Sequence, residues 1–169
     1  MFESTRLVLY WQKAGIRPGH PATESDISDL RSRTGAMMPS SFEQFLRQFN
    51  GIEQSSIGND LLTFWSIGQI LSFGISSKSG DFFYIPFADY CLNSHIYILR
   101  LDANGVEDGL LAADVMHERI VANSFDEFIS LYLDDPIKLT QCWDSDSTSP
   151  RVDSFEVIPT VSDVRFLGF

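Results

Sequence analysis

Three histidines (His20, His95 and His117) and two cysteines (Cys91 and Cys142) are the side chains in this 169-residue chain best suited to metal ligation or nucleophilic attack. None of the histidines stands in an HxH or HExxH spacing, and the cysteines form no CxxC pair, so neither a metal site nor a disulfide framework is expected. His117 neighbours Asp114 and Glu118 in sequence. A His/Asp site from these has nothing else behind it, and ordinary surface or half-buried histidines account for all three. Ser124 lacks a GxSxG context and precedes an apolar helical stripe, where capping explains it better than nucleophilic work. No glycine-rich loop is placed to cradle a phosphate. The expectation is a protein without enzymatic activity, metal or cofactor, with both thiols free in a reducing compartment.

Carboxylates are the abundant chemical resource. Asp81, Asp89, Asp102, Glu107, Asp108 and Asp114 fall within one stretch, with Trp65, Tyr84 and Tyr90 close by in sequence. Acid/base catalysis would need two of them held at a fixed separation in a cleft, which spacing does not define. Two readings stay open. One is a solvated sheet face with turn-forming aspartates. The other is an acidic, aromatic-flanked patch that docks a basic protein, since aromatics with charge are common at interfaces. On the second reading the partner-binding residues are Trp65, Asp81, Tyr84, Asp89, Tyr90, Asp102, Glu107 and Asp108. The net charge of −11 is uneven: residues 1–51 carry +1 and residues 52–169 carry −12. Phosphate neutralisation requires a basic surface, so nucleic-acid binding is not expected. An acidic surface speeds encounter with a basic partner, although solubility alone also explains it.

The elements that must position these residues read as follows. Residues 5–14, "TRLVLYWQKA", fit a helix ending at Gly15, or a strand. Thr23 with Asp26 opens a helix lined by Ile27, Leu30 and Thr34 and closed by Gly35. In "MPSSFEQFLRQFNG" (38–51), Ser40 and Glu43 form a capping box. Phe42, Phe45, Leu46 and Phe49 lie at i, i+3, i+4 and i+7, one apolar ridge that Asn50-Gly51 terminates. Beyond residue 51 the period changes. Strands are expected over 60–67, 81–89, 94–102, 106–111 and 119–122; a turn or short helix through Gly68 to Leu71 and a polar loop at 74–80 fall between them. Pro86 marks an edge or a bend, and 102–105 is an Asn-Gly turn. In 94–102, Ile96, Ile98 and Arg100 share one side, and His95, Tyr97, Leu99 and Leu101 the other. Ser124 and Glu127 cap a helix with Phe125, Phe128, Ile129, Tyr132 and Leu133 on its apolar face, stopped before Pro136. Residues 140–153 are polar and irregular; 155–169 are apolar and expected to dock back on the body. Helices, then a meander, then a helix argue for an α+β domain over 1–136 with a C-terminal extension over 137–169. The five-residue apolar run near the N-terminus is too short for a signal peptide or membrane span, so a cytoplasmic protein is expected.

"TESDISDLRSRTGAMMPSSFEQFLRQFNG" resembles the opening of the SUKH superfamily, which includes bacterial toxin-immunity proteins and fungal cell-wall-synthesis regulators. The resemblance rests on Ile27, Leu30, Gly35, Met38, Pro39, Phe42, Phe45, Leu46, Asn50 and Gly51. It continues through "FWSIGQI" (64–70), "IPFADYCLNSHIYILRLDANGVE" (85–107) and "ANSFDEFISLYL" (122–133). The segment after Ala-Asp departs from the pattern, because Tyr90-Cys91-Leu92 precedes Asn93 where a glycine is usual. The resemblance implies protein binding without shared catalytic residues. Its bacterial branch implies neutralisation of a cognate secreted toxin, often a nuclease. Its fungal branch implies a regulatory or scaffolding module. An unrecognised hydrolase is the third alternative.

Overall fold

The computed structural model describes residues 3–34, 38–53, 56, 61–73, 77–79, 82–113 and 118–140. The first stretch is a helix: α1 (Ser4–Ala14) buries Leu7 and Trp11, one turn apart, and Gly15 closes it at φ 73°. In α2 (Glu24–Thr34) the expected capping box forms in both directions. Asp26 N–H donates to Thr23 Oγ1 (3.2 Å), and Thr23 N–H donates to Asp26 Oδ2 (2.8 Å). Gly35 lies outside the described residues.

The ridge is buried as expected: Phe42, Phe45, Leu46 and Phe49 of α3 (Ser40–Gln48) and its C-cap all face the core. The capping box at Ser40 does not form. The helix starts one residue earlier in register, with Pro39 at the N-cap and no side-chain cap. Glu43 instead accepts from Arg31 (2.5 Å) and Arg47 (2.9 Å), tying α2 to α3. Asn50-Gly51 does more than end a helix. Asn50 Oδ1 accepts from the Ile67 N–H (2.8 Å), the first residue of α4 (Ile67–Phe73). Gly51, at φ 85°, runs so close to the chain that a Cβ would sit 2.6 Å from Ser66 N.

The strands are β1 (Leu62–Phe64), β2 (Ser77–Ser79), β3 (Phe82–Tyr90), β4 (His95–Leu101), β5 (Glu107–Ala113) and β6 (Glu118–Ala122). They form one antiparallel sheet in the order β1-β3-β4-β5-β6, with β2 also on β3. β2 falls in the stretch expected to be a loop; its Ser-Lys-Ser has no apolar alternation to reveal it. Pro86 is not on an edge strand. It lies in β3, between β1 and β4 in the sheet order, where the register shifts between Pro86 and Ala88, a bulge that tolerates its missing N–H. α5 (Phe125–Asp134) and α6 (Pro136–Thr140) follow, and Ser124 caps α5 by accepting from Glu127 N–H. The fold is α+β, as the order of elements predicts.

The sheet has two unlike faces. Helices α1, α3 and α5 send rings to one of them. Phe87 meets Phe42, Phe64, Phe125 and Phe128 at 5.2–6.4 Å between centroids. Trp11 packs on Phe64 and donates its indole N–H to Tyr132 Oη (3.2 Å). Tyr97, Leu99 and Leu101 alternate onto this helix face; Ile96, Ile98 and Arg100 take the second face, with Tyr84, Leu111 and Ala113 paired beside them.

Candidate functional site

The seven described residues of the expected partner-binding set divide between the two ends of β4, whose seven residues separate the turns by about 20 Å. Asp81 lies outside the described residues. Trp65, Asp89 and Tyr90 gather at the β3–β4 turn. Trp65 and Asp89 are both buried and bond to each other, indole Nε1–H to Asp89 Oδ2 at 2.6 Å. The other carboxylate oxygen of Asp89 accepts from Asn93 N–H (3.0 Å). Asp89 is thus a brace for the 91–94 turn, not a surface acid, because a carboxylate between an indole and a backbone amide is satisfied inside the protein. Tyr90 is half-buried beside the His95 ring. At the tip, Leu92 is 85% exposed and Cys91 is an exposed free thiol.

Asp102, Glu107, Asp108 and Tyr84 lie at the opposite end. Asp102 Oδ1 accepts from the N–H groups of Asn104 and Val106, both at 2.8 Å. The Val106 N–H, with the other donors of the turn, holds the Asp102 carboxyl below its ordinary pKa, so it stays ionised. The turn is wider than the two-residue Asn-Gly kind: only Gly105 is left-handed (φ 77°), and Asp102 N–H bonds across to Val106 O. Glu107 Oε1 accepts from Phe125 N–H (2.8 Å), at the first residue of α5. Burial raises the Glu107 pKa; the Phe125 N–H opposes this and the nearby Asp126 charge adds to it. Asp108 is exposed and pairs with Arg100 (2.8 Å), whose guanidinium also bonds the Asp108 carbonyl and stacks over Phe82. Tyr84 is buried on the second face, cross-strand from Arg100, and burial raises its phenol pKa.

The Glu107 bond carries α5's first turn to this hairpin, which adds two residues that sequence reasoning did not place there. The charge of Asp126 acts on Glu107, and Glu127 is exposed, accepting from Asn123 N–H (2.7 Å). Glu127 reads as a helix-capping acid in sequence and Asp126 is not singled out, and nothing in their spacing shows which strand they lie near. The result is an acidic edge in which the hairpin carrying Asp102, Glu107 and Asp108 is tied to the helix turn carrying Asp126 and Glu127, and Val106 in the hairpin turn is 61% exposed. Glu118 on β6 is a further acid the residue patterns did not single out as a binding residue; burial raises its pKa to about 7 against the opposing charge of Arg100.

Of the histidines, His20 is exposed, His95 is half-buried with Nδ1 2.9 Å from Ser94 Oγ, and His117 and Asp114 lie outside the described residues, as does Cys142. Among the described residues no group of three or more His, Cys, Asp or Glu is arranged to hold a metal ion. No described helix is long and apolar enough to cross a membrane. The model of the SMI1/KNR4 family (SUKH-1) matches residues 21–131, well over half of the chain, from just before α2 to within α5. Among curated proteins no match is found.

Proposed function

Because the chain belongs to the SMI1/KNR4 (SUKH-1) family, which carries immunity or regulatory roles, we propose that it is an immunity-type protein that binds and neutralises a cognate secreted toxin. The reading favours contact at the β4–β5 turn, and the observation behind it is an exposed Val106 in a hairpin that carries Asp102, Glu107 and Asp108 and is bonded through Glu107 to the first turn of α5, which carries Asp126 and Glu127. An apolar centre with a charged rim is the anatomy of a protein interface. The carboxylates favour a basic partner such as a nuclease domain, by steering the encounter and blocking a cationic active site. The work requires no catalytic group of this chain: it acts by occlusion, in the cytoplasm of the cell that makes the toxin.

The test is stoichiometric. The purified chain is added to the toxin domain encoded beside it, and complex formation and toxin activity are followed together. A stable complex with activity lost at equimolar addition is expected. The absence of a complex, or of any toxin gene alongside, would favour the regulatory role of the same family with a housekeeping protein as partner.

A further inference from the structure

The 91–94 turn breaks two local rules at once. A left-handed turn calls for Asn or Gly at its central positions, and this one has Cys91, Leu92 and Asn93, at φ 49°, 56° and 66°. Leu92 is also 85% exposed, so a bulky side chain in a conformation it resists is at the same time open to water. Leu61 repeats the pattern beside it. It is 42% exposed at φ 57°, and its carbonyl accepts from Cys91 N–H (3.0 Å). Folding does not ask for either leucine, because asparagine or glycine would suit the backbone better and expose less apolar surface. The turn is nevertheless held firmly. Buried Asp89 accepts from the Trp65 indole (2.6 Å) and from Asn93 N–H (3.0 Å), and Ser94 donates both its N–H and its hydroxyl to the Tyr90 carbonyl (3.0 and 2.9 Å). Strain persists only where the surroundings over-determine it, and such places cluster at functional sites. The exposed tip, Leu61 and Cys91 to Ser94, contains no Asp, Glu, Lys or Arg, unlike the acidic hairpin about 20 Å away at the other end of β4.

We propose that Leu92, flanked by Leu61, is a preformed anchor that enters an apolar pocket on the toxin domain. The inference rests on the toxin-binding reading and gives the two turns separate shares of recognition. The acidic hairpin governs the rate of encounter, which long-range charge sets. The uncharged tip governs the lifetime of the complex, because apolar burial acts only after contact and shows in dissociation. The brace serves this role, since an anchor already in its bound shape loses little freedom on docking. A lipid surface is the poorer occupant: the chain's net charge of −11 repels anionic lipids, and two leucines offer little area for insertion.

The test uses the toxin domain encoded beside the chain and the full chain as native protein, L92G and L92N. Association and dissociation are timed separately, and each variant is melted on its own. Dissociation about tenfold to a hundredfold faster is expected for both variants, with the association rate and its salt dependence unchanged and the melting temperature equal or higher. Dissociation as slow as the native rate would overturn the anchor and leave the acidic edge standing. Faster dissociation together with a lower melting temperature would assign the leucine to the fold and overturn it as well. Self-association of the native chain in sedimentation, abolished by L92G, would give the tip to a second copy instead. Failure of the native chain to form any complex would remove the anchor and the toxin reading together.

Discussion

At the 102–106 turn the left-handed residue is Gly105 (φ 77°), and the carboxylate that shapes the turn, Asp102, faces outward and bonds only neighbours in sequence. At the 91–94 turn three successive residues are left-handed, Cys91, Leu92 and Asn93 (φ 49°, 56°, 66°), and none is a glycine. A side chain in that conformation costs of order 1–3 kcal/mol, less for Asn. The strained turn is held by a bond reaching into the core, from Asp89 to the indole of Trp65. The relaxed end therefore leaves its charge at the surface, whereas the strained end uses its charge to keep its shape. Two aspartates that look equivalent in sequence, Asp89 and Asp102, have opposite employment.

The two ends share a floor, and removing it should affect both most. Phe45 sits among Trp11, Phe49, Phe64 and Phe125. Phe45→Ala should cost roughly 3–5 kcal/mol in denaturant titration, and a near-zero change would place the ridge outside the core.

Next in size is Trp65→Phe. It removes the donor to a buried carboxylate, at a cost of about 1–3 kcal/mol. Amide exchange should accelerate over 91–94 while 102–106 is unchanged; equal acceleration at both turns would erase the distinction drawn between them. Charge reversal at Asp89 would not report on binding, since the folded state itself depends on that carboxylate.

A smaller effect has opposite signs at the two turns. Gly105→Ala should destabilise by about 1 kcal/mol, because alanine resists positive φ. Leu92→Gly should be neutral or stabilising by up to about 1 kcal/mol, since relief of strain exceeds or offsets the added freedom of the unfolded chain. Matching signs in thermal melts would show that the two turns are not differently strained.

The ridge of α3 and the alternation of β4 were legible because each is a local period: 3.6 for the buried Phe/Leu side chains, and 2 for Tyr97 and Leu99 against Ile96 and Ile98. The site was legible only as composition. Its decisive bonds join residues far apart in the chain, 24 positions for Trp65 with Asp89 and 18 for Glu107 with Phe125. No periodicity encodes such a pairing. Without it Trp65 and Asp89 read as partner-binding surface residues, Glu127 as a helix cap, and Asp126 goes unremarked. The Ser40 capping box failed for a related reason: Glu43 fits the motif, but Arg31 and Arg47 offer it charged partners across the α2–α3 contact.

The smallest expected effect is on pH dependence. Glu118 has its pKa raised to about 7 by burial, so the folded state holds that proton more tightly than the unfolded chain. Its contribution is fully present below the ordinary carboxylate range and is lost as pH rises toward about 7. Glu118→Gln should flatten that part of the stability profile while the profile of the 102–108 edge, where Asp102 is already ionised, stays as it was. An unaltered slope would mean that Glu118 is not the titrating group.

The most direct test of the account is the association rate of the toxin domain with the full chain, at low and high salt, for the native protein and for D102N/D108N/E127Q. These replacements remove three charges and keep an acceptor oxygen for the backbone N–H groups that Asp102 and Glu127 hold. A fall of about tenfold in rate at low salt, vanishing at high salt with thermal stability nearly unchanged, is the predicted result. The same rate for both proteins at low salt would contradict it and move the interface away from the acidic edge.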